Sequence, residues 1–579
     1  MDRNRSVPRF ERAFFASGQP FMRIGDGELG GKAQGLAVAR DLVESGISAS
    51  DCGGVTVAVP TTAVLTTDVF DAFMLRNGLY DVALSGAPDD RVAHAFQNGD
   101  LPVEHVGDLR ALIEEVHTPL AVRSSSRLED ALSHPFAGVY ETKMIPNNQP
   151  DPSVRFQRLV EAIKFVYAST FFRAARSYIE AIAESPTDEK MSVVIQEVVG
   201  ERHNDRFYPH LSGVCRSYNY YRSGRARPEE GVVNLALGLG KTIVDGGVSW
   251  TYSPVHPKAP PPFSTVGDLL KSTQLKFWAV NMGAPPAYDP TAETEYLVEA
   301  DLADADYDGT LRFLASSYDP ARGRLVPGTG VKGARVLNFS PILELEEWPL
   351  NSVIRKLLEI CERMMGAAVE IEFAVTFPRE PVGAARFGFL QVRPMMVSHE
   401  TVDVPEGAAG APNVLLYSDR VMGNGTVTTI RDVVYVKPDL FEARLTPAIA
   451  SQLEEINKSF RNTGRQYLLI GFGRWGSSDS WLGIPVKWGQ VSGAKVIVEA
   501  TLPRMNVEPS QGAHFFHNIS SFRVSYFTVG HEPGQGIDWK WLEAQPAEAE
   551  TNLVRHVRLD RPLTVKVDGR TGRGAVWRA

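Results

Sequence analysis

The chain has 579 residues, is 43% hydrophobic and 22% charged, and carries a net charge of −9 with a pI near 5.8. That length exceeds one core and suggests three to five units at roughly 100 to 200 residues per domain, while the acidic balance argues against a nucleic-acid binder. The polar opening MDRNRSVPRFER has no signal-peptide core, and no run of about 18 apolar residues follows, so a cytoplasmic protein without a membrane span is expected.

In chain order, the first informative stretch is GDGELGGKAQGLAVARDLV, a glycine-rich turn that runs through Lys32 into an apolar-periodic helix. Glycines let a backbone approach a ligand, and a lysine at a helix mouth can meet a phosphate favoured by the helix N-terminus. The stretch is neither GxxxxGK[ST] nor GxGxxG after a strand, so taken alone it reads better as a plain loop-to-helix turn. Cys52, Cys215 and Cys361 show no CxxC or Cys/His spacing, and neither a disulfide framework nor a zinc site is indicated.

VGDLRALIEEVHT predicts a helix, and PLAVRSS a strand that delivers Arg123 into a serine-rich turn. Glu129 and Asp130 follow, then Phe136-Ala137-Gly138 and Glu141-Thr142. Hydroxyls, amides and a fixed positive charge just past a strand suit a polyphosphate. VRFQRLVEAIKFVYASTFFRAARSYIEAIAE predicts one long helix, and MSVVIQEVV a buried strand ending in polar Gln196 and Glu197. The proline-rich SPVHPKAPPPFST reads as a loop excursion.

Further on, VEIEFAVTF and RFGFLQVRP flank the turn-rich PREPVGAA and predict a hairpin. Strand alternation puts Glu370 and Glu372 on one face of the first strand and Gln391 and Arg393 together on the second. Two carboxylates, an amide and a guanidinium on one patch suit magnesium on nucleotide phosphates. The same residues also make ordinary cross-strand ion pairs.

SHETVDVPEGAAGAPN, residues 398–413, reads as a linker. Beyond it NVLLYSD, DVVYVKP, AKVIVEATLP and FRVSYFTV read as strands, TPAIASQLEEINKSFRN as a helix and LTVKVDGRTGRGAVWRA as a closing hairpin. GFGRWGSSDSWLGIPVKW could form, with Arg474 and its tryptophans, an acceptor pocket or a hydrophobic corner. In PSQGAHFFHNISSF, His514 and His517 read either as structural histidines or as a phosphoryl acceptor or base.

VRSS, ED, FAG and ET in this order resemble the signature of the ATP-binding domain of phosphoenolpyruvate synthases and pyruvate phosphate dikinases. GGKAQGL resembles the family's early Gly-Gly-Lys motif, SVVIQEVV its VVVQxMV strand, SGVCRS its GVxFT segment, NLALGLGKTIVDGG its GLGExVVxG loop, and the hairpin its (D/E)IEW and LQxRP pair. The similarity runs collinearly from about residue 20 to 397 and implies an α/β (α+β) fold: a two-lobed ATP-grasp region, residues 1–190 and 191–397, followed by the 398–413 linker and a β-rich region over 414–579. It implies ATP and magnesium as cofactors, Lys32 and Arg123 on the phosphates, Gln391 and Arg393 completing that wall, Glu370 and Glu372 on the metal, and Glu197 with the backbone of Val198 and Val199 facing adenine. Lys241 stands where GLGE has its acid, which removes any metal or base role of that acid.

The residues after 413 are too few for a roughly 250-residue barrel with a carrier domain, so phosphoenolpyruvate formation by this chain alone is not expected. An ATP- and magnesium-dependent phosphotransferase is, with Lys32, Arg123, Arg393 and His514 as catalytic residues and an unidentified small-molecule or protein acceptor. An ATP sensor without catalysis and an ATP-grasp ligase are the alternatives.

Overall fold

The computed structural model describes residues 7–11, 21–46, 54–127, 129, 138–181, 189–221, 226–258, 266–378, 384–397, 400–503, 514–531 and 536–579. Asp130, Phe136, Ala137 and the first two residues of the predicted linker lie outside them.

The chain is mixed α/β. A first sheet runs in the order Phe21–Ile24, Thr62–Leu65, Met191–Glu197, Leu120–Ser126, Thr142–Ile145. Met191–Glu197, placed by the sequence reading at the start of the second lobe, is the central strand here, paired antiparallel to Thr62–Leu65 and to Leu120–Ser126. Its residues Met191–Gln196 are all buried, so packing on both faces holds it in the middle. A second sheet runs Trp250–Tyr252, Val232–Leu237, Leu211–Arg216, Val369–Thr376, Ala385–Pro394, Val55–Ala58. Its last strand comes from the N-terminal part of the chain and pairs parallel to Ala385–Gly388.

The predicted hairpin forms, with Glu370 opposite Arg393 and Glu372 opposite Gln391. The predicted long helix is two: Pro152–Ser169, whose first turn is capped by Asp151 accepting from the Ser153 amide, and Arg173–Ala181. Ser169 donates its hydroxyl to the Val166 carbonyl, a local bond that competes with helix continuation. Phe171 and Phe172 then turn inward onto Phe70, Phe96 and Phe165.

The C-terminal region is more than β-rich. Asp432–Val436, Tyr467–Phe472, Ala494–Ala500 and Ser525–Val529 form a parallel core inside a seven-stranded sheet. The helix Thr446–Thr463 links the first two of these strands, and His514–Ser521 lies between the last two. The sequence reading found three of these strands, missed Tyr467–Phe472 and gave no direction to any: short runs buried on both faces, such as Tyr467–Phe472, mark parallel strands joined by crossover helices. The C-terminal region shares one continuous apolar core with the first sheet. Tyr178 packs on Phe522 with ring centroids 5.6 Å apart, and Phe522 stacks on Trp488 at 4.8 Å.

Candidate functional site between the sheets

The helix Gly30–Gly46 packs on the strands Leu120–Ser126 and Ala385–Pro394. Close approach is built in: Gly30 has φ +74°, and a Cβ there would lie 1.8 Å from the Ser125 carbonyl oxygen. The serines after Arg123 are not a turn but strand residues with fixed partners. Ser125 Oγ donates to the Leu29 carbonyl at 3.0 Å and accepts from the Ala33 amide at 2.9 Å, which pins the first helical turn to the strand. Ser124 Oγ and the Ser126 amide both donate to Glu129, at 2.9 Å each. Lys32 Nζ, carried by that first turn, stands 3.0 Å from Glu129 Oε1.

Arg123 reaches across to the hairpin. Its guanidinium donates to Gln391 Oε1 at 2.8 Å, to Glu372 Oε2 at 3.1 Å and to the Leu390 carbonyl at 3.1 Å. Arg393 Nε donates to Glu370 Oε1 at 2.7 Å, and Arg216 pairs with the other oxygen of Glu370. Burial opposes the ionisation of Glu370, but Arg216 and Arg393 overcome it and hold the carboxyl far below the usual range. Burial likewise opposes Glu372, which Arg123 and then Arg393 keep on the acidic side of its ordinary value.

These side chains border a cavity of about 590 Å³, whose wall includes Lys32, Arg123, Glu197, Val199, Glu372, Gln391, Arg393 and His514. Glu370 is not part of that wall. Ala121, Met144, Val198, Leu239 and Leu297 belong to one small apolar cluster and border the same cavity. The amides of Glu197 and Val198 donate to the carbonyls of Thr61 and Pro119, and Thr118 Oγ1 donates to Glu197 Oε1 at 2.7 Å.

The C-terminal region closes the cavity with His514, Phe515 and Asn518 and with the loop that carries Lys487 and Trp488. Burial, with Arg393 nearby, lowers His514 to about 3, and burial drives His517 well below its ordinary value, so both imidazoles are neutral near pH 7. Arg474 is not in the cavity. It donates 2.8 Å bonds to the carbonyls of Gly246 and Gly247 and so fastens the C-terminal region to the GLGKTIVDGG loop. Lys241 of that loop pairs at 2.8 Å with both Asp245 and Glu293, two acids on the cavity wall close to the position where the family pattern has its acid. Burial opposes its charge, but Glu293 and Asp245 raise its affinity for the proton.

Sequence reasoning missed Arg216, Asp245, Glu293 and Lys487. Arg216 had a visible signal, a cation where SGVCRS departs from GVxFT. Among the described residues, no three His, Cys, Asp or Glu side chains cluster as a set of metal ligands, and no helix is long and apolar enough to cross a membrane.

A family model described as the pyruvate phosphate dikinase AMP/ATP-binding domain matches residues 27–409. Among curated proteins, a phosphoenolpyruvate synthase of Aeropyrum pernix is 25% identical over 242 residues, covering 38% of this chain and 26% of that protein. The chain thus spans about a quarter of the length of that relative. Over more than half of its length, including every residue of the charged cavity wall except those of the C-terminal region, the chain belongs to the pyruvate phosphate dikinase AMP/ATP-binding domain family.

Proposed function

We propose that the chain is an ATP- and magnesium-dependent phosphotransferase with an ATP-grasp arrangement of its two lobes, 1–190 and 191–397. The observation that carries this reading is that Lys32, Arg123, Gln391 and Arg393, from segments far apart in sequence, border one cavity together with an apolar cluster and His514. Adenine would rest on that apolar cluster beside Glu197 and Val199. The triphosphate then runs along the cationic wall, where three fixed positive charges offset charge on the transferring group.

The donor set fits magnesium in part. Magnesium is held by one or two carboxylates with phosphate oxygens and water, and Glu372 has a carboxylate on the wall. When bound, the ion would supply charge neutralisation and orientation of the phosphates. His514, being neutral, has a nitrogen lone pair available to accept a phosphoryl group or to take the proton of an acceptor hydroxyl. If nitrogen attacks phosphorus, the P–N bond forms as the bridging P–O bond breaks, and its electron pair leaves with the nucleotide. The acceptor beyond His514, whether small molecule or protein, is unidentified.

Incubation with ATP labelled at the β or γ phosphate, followed by chromatography of nucleotides and protein, tests the reading. AMP with phosphate, or ADP, together with label on protein or a small product supports it. No turnover with any metabolite fraction defeats it and favours the second reading, an ATP sensor. One observation supports that alternative: the C-terminal region shares its core with the first sheet and walls the cavity, as a reporter of nucleotide occupancy would.

A further inference from the structure

The two acids of the hairpin have unlike surroundings. Glu372 borders the cavity, with Arg123 3.1 Å from one oxygen. Glu370 is 1% exposed and stands behind the wall. In the second sheet its strand lies between two others, and the register puts Arg216 opposite Glu370 on one side and Arg393 opposite it on the other. Arg216, Glu370 and Arg393 therefore form one cross-strand row. Arg393 takes one carboxylate oxygen and Arg216 the other.

Arg216 is itself 1% exposed, and a buried guanidinium is tolerated only beside an anion, here Glu370.

We infer that Glu370 in this chain is a positioning residue, not a metal ligand: the row Arg216–Glu370–Arg393 fixes the Arg393 guanidinium on the phosphate wall, and Glu372 is the one hairpin carboxylate that holds magnesium. A divalent cation on Glu370 would have to displace two guanidiniums from both carboxylate oxygens in a water-excluded layer. The inference rests on the nucleotide reading of the cavity and narrows its metal set.

Two binding constants separate the roles: ATP titrated calorimetrically in excess EDTA, and Mn²⁺ titrated by electron paramagnetic resonance into the protein–ATP complex. For Arg216→Met we expect metal-free ATP affinity to fall at least about tenfold and Mn²⁺ affinity to stay within about threefold. For Glu372→Gln we expect the reverse, since loss of a ligand or its support costs about 10–100-fold in metal affinity. Glu370→Gln should leave Mn²⁺ affinity within about threefold, and a loss of tenfold or more there overturns the inference. If Glu370→Gln fails to fold by near-ultraviolet circular dichroism, the wild-type crystal structure with Mn²⁺ and a non-hydrolysable ATP analogue decides. Glu372 alone on the metal upholds the inference and both carboxylates overturn it. Absence of ATP binding by the wild-type chain instead overturns the nucleotide reading, and this assignment with it.

Discussion

The imidazole of His514 rests on the backbone of Gly138: a Cβ at position 138 would lie 2.5 Å from His514 Nδ1, and Gly138 has φ +64°. Two residues far apart in sequence, one in the family signature and one beyond the matched region, are thus fitted to each other. Gly138→Ala should cost about 1–2 kcal/mol for the left-handed backbone alone, with a further loss from displacement of the imidazole. Thermal unfolding of Gly138→Ala, His514→Ala and the double variant checks this. The double variant should recover the steric part, so that the two losses are not additive.

Removal of Arg123 should damage both stability and nucleotide binding. Its side chain ties the strand Leu120–Ser126 to Glu372 and Gln391, and a buried pair broken on one side costs about 3–5 kcal/mol. We expect Arg123→Ala to lower the urea midpoint strongly and to weaken ATP binding. A variant with unchanged stability would show that the Glu372 charge is solvated.

Stability should decline on both sides of its optimum, through different groups. His514 has a folded value of about 3 against its ordinary 6.5, so below pH 6.5 the unfolded chain binds more protons. Its contribution is complete above that pH and is lost as pH falls, by up to about 1.4 kcal/mol per unit. Glu499 is raised to about 7 by burial, against the opposing hydrogen bond from Tyr526. Here the folded state binds more protons, so its contribution is complete below pH 4.5 and is lost as pH rises towards 7. Urea unfolding from pH 4.5 to 8 should therefore show His514→Asn flattened on the acid side. Glu499→Gln should gain on wild type as pH rises from 5 to 7.

Arg474→Ala should loosen the C-terminal region where it meets the GLGKTIVDGG loop. It removes two charge-assisted bonds to Gly246 and Gly247, each worth about 1.5–3 kcal/mol. Hydrogen exchange should rise in residues 241–247 and 474–478 before it rises in the two sheets. Uniform exchange across the chain would show that Arg474 is not the fastening point.

What could be read from the sequence followed its local rules. Strand alternation grouped Glu370 with Glu372 and Gln391 with Arg393, and the hairpin pairs them as Glu370 with Arg393 and Glu372 with Gln391. The glycines before Lys32 read as room for a ligand or as a plain turn into a helix, and Gly30 instead serves close approach to the Ser125 carbonyl. What could not be read depends on pairing between distant segments. Nothing local to SGVCRS says that the strand Leu211–Arg216 lies beside Val369–Thr376, so the partner of Arg216 was invisible. Met191–Glu197 resembles any buried strand, and only its neighbours place it in the first sheet. The meeting of Gly138 with His514 and the reach of Arg474 to Gly246 arise from docking of the C-terminal region, which no periodicity encodes.

The most direct test of the central claim is calorimetric titration of ATP with magnesium into the full chain and into Arg393→Ala. The account expects one site per chain in the wild type and a loss of affinity of at least about tenfold in the variant, as for removal of a charge-assisted phosphate contact. Equal affinity in the two proteins, or no heat of binding in either, would contradict a triphosphate site on this wall.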